Sequence, residues 1–225
     1  TEDAITQAIA FQKFSPGPAA DIALSAALVK AERMDEAAKV LEKSFSGNAN
    51  SAVLQKLVPL LFLTKNTAKA QALMAQWLKS HPDDLAIRLQ YADLLMRSNQ
   101  LPNAQAQYEA VLNQDANNLL AINNLGWLIQ TSDPKRALEI LSRGEKLAPG
   151  SADIADTLGW IMLRQKDAAG ALSHLERAHN LHPADEQISY HYALALDANG
   201  KRGPAREVLG ALLAKTVNSG LRAEA

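Results

Sequence analysis

ADIADTLGWIMLRQKDAAGALSHLERAHNLHPAD, residues 152–185, is the stretch whose reading decides the fold. It divides into two short helices. In the first, Ile154, Leu158, Ile161 and Met162 recur at helical spacing and make one apolar face. In the second, Ala171, Leu172, Leu175, Ala178 and Leu181 do the same. Gln165-Lys166-Asp167 is the polar turn between them, and Pro183 closes the second helix. It does so because the residue before a proline is pushed out of the helical region. A pair this small cannot bury both apolar faces by itself, so it needs copies of itself on either side.

The copies are present. With Ala171 taken as the reference, alanine recurs at Ala4, Ala37, Ala70, Ala104, Ala137, Ala171 and Ala205, in steps of 33, 33, 34, 33, 34 and 34 residues. A small residue is required there because the two helices of a pair approach most closely at that point. The facing position on the first helix reads Ser25, Val58, Ala92, Gly126, Gly159 and Ala193, with Val58 the one poor fit. Four residues after the alanine stand Leu41, Met74, Tyr108, Leu141, Leu175 and Leu209. Pro16, Pro82, Pro149 and Pro183 fill the closing slot, and Ala49 and Ala116 replace them elsewhere.

Leu158-Gly159-x-x-Met162, then Ala171-x-x-x-Leu175, then Pro183 resembles the tetratricopeptide repeat (TPR) signature, a helix–turn–helix unit with a period of about 34 residues. The resemblance implies an all-α chain whose repeats stack into a right-handed superhelical solenoid. The register parses as complete units at 18–50, 51–84, 85–118, 119–151, 152–185 and 186–217. Residues 1–16 read as the second helix of a truncated repeat, and 218–225 as a polar tail, partly helical at most. Phe11 and Phe14 on that first helix suggest further repeats upstream. Pro59 falls inside the first helix of unit 51–84 and predicts a kink or an early break. Unit 119–151 has lost one turn residue and uses Ser132-Asp133-Pro134, with Asp133 as helix cap and Pro134 at the first helical position.

Composition removes several function classes. Twenty-three basic and 24 acidic side chains give a net charge of −1, which exerts no global pull on nucleic acid or anionic membrane. No cysteine is present, so there is no disulfide framework and no thiolate chemistry. The apolar run Leu57–Leu63 is far too short to span a bilayer. Residue 1 is Thr rather than Met, so the chain reads as a processed or excised piece and a missing leader says nothing about compartment. No nucleophile elbow, phosphate loop or dinucleotide fingerprint occurs, and the carboxylates gather at turns and helix starts, where they suit the helix dipole. The expectation is a non-catalytic chain without cofactor or metal. His174, His179, His182 and His191 put at most two of the first three on one helix face and read as solvated or capping.

The TPR resemblance further implies a ligand groove lined by first helices. Carried over position by position, it gives Phe62, Leu89, Asp93, Met96 and Arg97, then Asn123, Trp127 and Gln130, then Asp156, Trp160 and Leu163, then Tyr190, Leu194 and Asp197, with Gln55 and Pro59 beside the predicted kink. One Arg against three Asp does not suit nucleic acid and would suit a ligand with some positive charge. Two readings of Trp127 and Trp160 stand: an aromatic wall that grips an apolar or proline-containing segment, or rings packed sideways on the next unit's first helix. Trp77 reads as core.

The runs Asn123–Leu128, Leu147-Ala148-Pro149, Asp156–Trp160 and Ile188–Leu196 are similar to the C-terminal repeats of bacterial TPR lipoproteins associated with exosortase (PEP-CTERM) systems. That resemblance implies an exported, lipid-anchored protein, a periplasmic or envelope scaffold in exopolysaccharide and surface-protein export. The expected role is a protein-interaction module holding a peptide or protein segment. An architectural spacer, or a guide whose Trp127, Trp160 and Tyr190 stack on polysaccharide, is the alternative.

Overall fold

Polar side chains at the predicted boundaries start most of the helices. In the computed structural model residues 2–223 are described, with side chains described through residue 214. Among them are thirteen α-helices and no strand: α1 Glu2–Phe14, α2 Pro18–Lys30, α3 Met34–Gly47, α4 Ser51–Leu63, α5 Thr67–Ser80, α6 Leu85–Arg97, α7 Leu101–Gln114, α8 Leu119–Ile129, α9 Pro134–Leu147, α10 Ala152–Arg164, α11 Ala168–Leu181, α12 Glu186–Ala198 and α13 Arg202–Ala223. The side chains of Asn50, Asp84, Asn118, Ser151 and Asp185 accept backbone N–H groups at the starts of α4, α6, α8, α10 and α12. Each satisfies donors that the first helical turn leaves orphaned. Asp133 caps α9 in the same way, with Pro134 at its first position.

The turn inside each helix pair has its own signature. Glu32, Lys65, Asn99, Lys166 and Gly200 all adopt positive φ, between 58° and 75°. The missing member is the α8–α9 turn, the one that is a residue shorter. There the chain enters the next helix through Asp133 and Pro134 instead.

The chain forms two compact units, Thr1–Gln114 and Asp115–Ala225. In the first, each helix from α1 to α7 packs on the next, and α2, α4 and α6 also pack in series. The second repeats this with α8 to α13, where α8, α10 and α12 form the series. Ala37, Ala70, Ala104, Ala137 and Ala171 are fully buried, as are Leu41, Met74, Tyr108, Leu141 and Leu175. A Cβ on Gly126 would lie 2.6 Å from Leu141 Cγ, and one on Gly159 2.6 Å from Leu175 Cγ. The small positions are therefore a steric requirement of the helix crossing. Trp77 is core at 8% exposure, tilted against Phe45. Past residue 217, where the tail was expected, α13 continues to Ala223; residues 224 and 225 lie outside the described part.

Pro59 does not end its helix. α4 runs through it to Leu63. Proline removes the N–H that would bond the Gln55 carbonyl four residues back. Gln90 Nε2, from α6, donates to that same carbonyl at 2.9 Å. The ring itself lies on the exposed side of α4. A side chain 35 residues away thus supplies the missing hydrogen bond. Gln90→Ala should cost about 1–2 kcal/mol by leaving the carbonyl unsatisfied. In a Pro59→Ala background, where the backbone donor returns, the same change should cost well under half as much. A double-mutant cycle by urea denaturation measures this, and equal costs in both backgrounds would rule out the substitution of one donor for the other.

Candidate functional site

The expected groove residues fall on the first helices of the pairs, and the two units are considered separately. In the first unit, Phe62 lies in the last turn of α4 and Leu89, Asp93, Met96 and Arg97 line α6. The Arg97 guanidinium lies over the Phe62 ring, 3.9 Å from its centroid, and 4.0 Å from Asp93 Oδ2. Such stacking holds a long side chain in one orientation at little desolvation cost. Leu89 and Met96 are half-buried, and Met96 Sδ accepts the Tyr108 hydroxyl at 3.3 Å. Leu63, 61% exposed beside Phe62, adds apolar surface that the carried-over pattern had missed.

In the second unit, Asn123, Trp127 and Gln130 lie on or at the end of α8. Trp127 is 44% exposed. Gln130 Nε2 donates to the Trp127 carbonyl at 2.9 Å, and its Oε1 accepts from Arg164 at 3.3 Å, which brings an arginine to this face of the second unit. Asn123 Oδ1 is buried with no hydrogen-bond partner among the described residues. On α12, Tyr190 is exposed, Leu194 half-buried, and Asp197 exposed with Arg202 Nε 3.9 Å away. Leu163 of α10 is half-buried against the cluster of Ala171, Leu175 and Ala195.

Asp156 is a correction. It was expected to offer a carboxylate to a ligand, but it is 7% exposed and both its oxygens lie 2.9 Å from His191 Nδ1. His191 is itself buried rather than solvated, and its ring stacks on Trp160 at 4.2 Å and 17°. Trp160 therefore packs on the next first helix along one face. Trp127, by contrast, stays open. The three acids expected to favour a cationic ligand all have intramolecular partners: Asp93 with Arg97, Asp156 with His191, Asp197 with Arg202.

His174 and His179 are also engaged. His174 shares the Glu145 carboxylate with Arg177, and burial holds its imidazole below the usual value against the pull of Asp167. His179 lies 3.1 Å from Ser189 Oγ and stacks on Tyr192, whose hydroxyl burial and Glu176 push up. No group of three or more His, Cys, Asp or Glu able to hold a metal occurs among the described residues. Nor is any described helix long and apolar enough to cross a membrane.

Comparison with known proteins agrees with this architecture. A family model described as Tetratricopeptide repeat matches residues 61–125 and 162–224. A TPR repeat-containing protein of Pseudomonas aeruginosa is 30% identical over 168 residues, 73% of this chain and 28% of that protein, so the chain spans little more than a quarter of that relative's length. Among solved structures, a tetratricopeptide repeat protein of Parabacteroides merdae superposes with a TM-score of 0.72 at 14% identity, over 86% of this chain and 78% of that one. PilW, a widely conserved type IV pilus biogenesis factor, gives 0.72 at 17% identity, over 86% and 91%. At these identities the two structures speak for the fold.

Proposed function

Since the chain belongs to the tetratricopeptide repeat family, we propose that it is a non-catalytic protein-interaction scaffold whose second unit receives a protein segment on the face formed by α8, α10 and α12. The fold points to protein partners in general. The observation that carries the finer reading is that the acids of that face are already engaged within the chain, beside two open aromatics. Asp156 is bonded to His191 and Asp197 lies 3.9 Å from Arg202 in the same chain, while Trp127 and Tyr190 remain 44% and 48% exposed. What is left for a partner is an aromatic surface and amide groups, which suits an extended apolar segment more than a charged one. An envelope setting in bacterial export, with the exosortase association, belongs to the same proposal and is supported by the runs Asn123–Leu128 and Ile188–Leu196.

The test is affinity capture from native extract with the wild-type chain and with Trp127→Ala/Tyr190→Ala. Both side chains are exposed, so their removal should leave helicity and melting unchanged. A partner held by the first and lost by the second supports the reading, and equal catches place binding elsewhere. Retention should hardly change between about 0.1 and 0.5 M salt, because exposed ion pairs across the interface, which salt would screen, are few. Steep loss with salt would restore a charged ligand. An oligosaccharide bound by the chain alone and lost in the double variant would favour the polysaccharide guide.

A further inference from the structure

The two tryptophans occupy equivalent places in consecutive repeats but differ in what lies beneath them. Trp160 has the His191 imidazole stacked on one face at 4.2 Å. His191 in turn is fixed by Asp156, with Nδ1 2.9 Å from both carboxylate oxygens. That bond, with a carboxylate oxygen as the natural acceptor for Nδ1–H, sets the ring orientation. Both members of the pair are more than nine-tenths buried. Thr157 stands in the register position beneath Trp127 that His191 has beneath Trp160, one repeat on in each case. A threonine cannot stack, and Trp127 is 44% exposed.

We propose that the Asp156–His191 pair is a positioning device that fixes the indole of Trp160 before any partner arrives, making Trp160 the rigid anchor and Trp127 the adaptable contact of the same face. This deepens the interaction face proposed above and rests on it for its purpose. Holding an aromatic ring in its bound rotamer removes an ordering cost that binding would otherwise carry. Trp127 retains its freedom and can adjust to the segment presented. Neither Asp156 nor His191 touches the partner; both act through the indole.

The experiment reads the free protein, so it is independent of whether the partner is ever found. The full chain is labelled with 5-fluorotryptophan, and its three fluorine resonances are assigned by single Trp→Phe replacements. The probes are each resonance's position and its relaxation by a soluble gadolinium chelate. His191→Ala should move the Trp160 resonance toward its denatured position and raise its response to the chelate, with the Trp127 and Trp77 resonances unmoved. Asp156→Asn keeps an acceptor for Nδ1–H and should preserve the wild-type signal, while Asp156→Leu should release the ring. His191→Phe, which can still stack, should recover most of the shift. A Trp160 signal unchanged in His191→Ala, at unchanged helicity, overturns the proposal. Should His191→Ala not fold, the contrast between Asp156→Asn and Asp156→Leu decides, and identical Trp160 signals in those two overturn it equally. Loss of the proposed interaction face would show instead as capture indifferent to Trp127, with the fluorine result standing.

Discussion

Replacing Asp84 by alanine is expected to lower the unfolding free energy by about 2–4 kcal/mol, well beyond an ordinary surface change. Asp84 joins three helices of the first unit. Its Oδ1 accepts the Ile87 N–H at 3.1 Å and so caps α6. Its Oδ2 accepts the Ser51 hydroxyl at 2.6 Å, from the start of α4, and the Trp77 indole N–H at 2.8 Å, from α5. Alanine would remove the cap and leave the buried Trp77 donor without a partner. The ionisation state adds a pH signature. Burial pushes the Asp84 carboxyl upward, but the hydrogen bonds from Ser51, Ile87 and Trp77, with His81 nearby, outweigh it and hold the group below its ordinary value. A carboxyl depressed in the folded state stabilises fully above its unfolded value of about 3.9, and that contribution is lost as pH falls through the lower folded value. The stability gap between wild type and Asp84→Asn should therefore be flat near neutrality and close in acid. Urea unfolding followed by circular dichroism at several pH values measures it. A loss under about 0.5 kcal/mol for Asp84→Ala would put the hub within the range of a neutral surface site.

The repeat was legible because helix crossings leave a mark in composition. Ala37, Ala70, Ala104, Ala137 and Ala171 recur where only a small residue fits, and each is fully buried. Trp77 was readable as core for the same reason of spacing. What escaped the sequence is side-chain pairing between repeats. Asp84 could be seen as a helix-start carboxylate, but nothing in the chain marks that Ser51 and Trp77 would converge on it. Pro59 reads as a kink or an early break in the sequence because its compensating donor, Gln90, lies 35 residues away and is an unremarkable polar residue until α4 and α6 are side by side. Asp156 was placed correctly on a first helix but not on its accessible side. Position within the repeat fixes the helix face to within one neighbour, and His191, one place past the equivalent of Asp156, was enough to draw the carboxylate inward. Periodicity therefore locates a groove, while the rotamers that decide which members remain available depend on the adjacent repeat.

The steric reading of the repeat predicts opposite signs for one substitution at two glycines. Glycine to alanine inside a helix normally stabilises by about 1 kcal/mol. Gly210 of α13 should follow that rule, since a Cβ there meets nothing within 4 Å. Gly159 of α10 should break it. Its added Cβ would lie 2.6 Å from Leu175 Cγ, 3.1 Å from the Ala171 carbonyl and 3.1 Å from His174 Cβ. Leu175 and Ala171 are fully buried, so neither can swing into solvent, and the carbonyl belongs to the backbone of α11. Relief requires α10 and α11 to move apart at the point of closest approach. Gly159→Ala should then cost about 1–3 kcal/mol net, and Gly159→Val about 3 kcal/mol or more, as overpacked cores do. Gly126→Ala should fall below Gly159→Ala, because there all three of the nearest atoms belong to the single Leu141 side chain rather than to a carbonyl. Denaturant midpoints rank the four variants. The ordering follows from the distance between paired helices alone, so a Gly159→Ala protein as stable as Gly210→Ala would mean that these helices can separate freely, and the small-residue register would lose its physical basis.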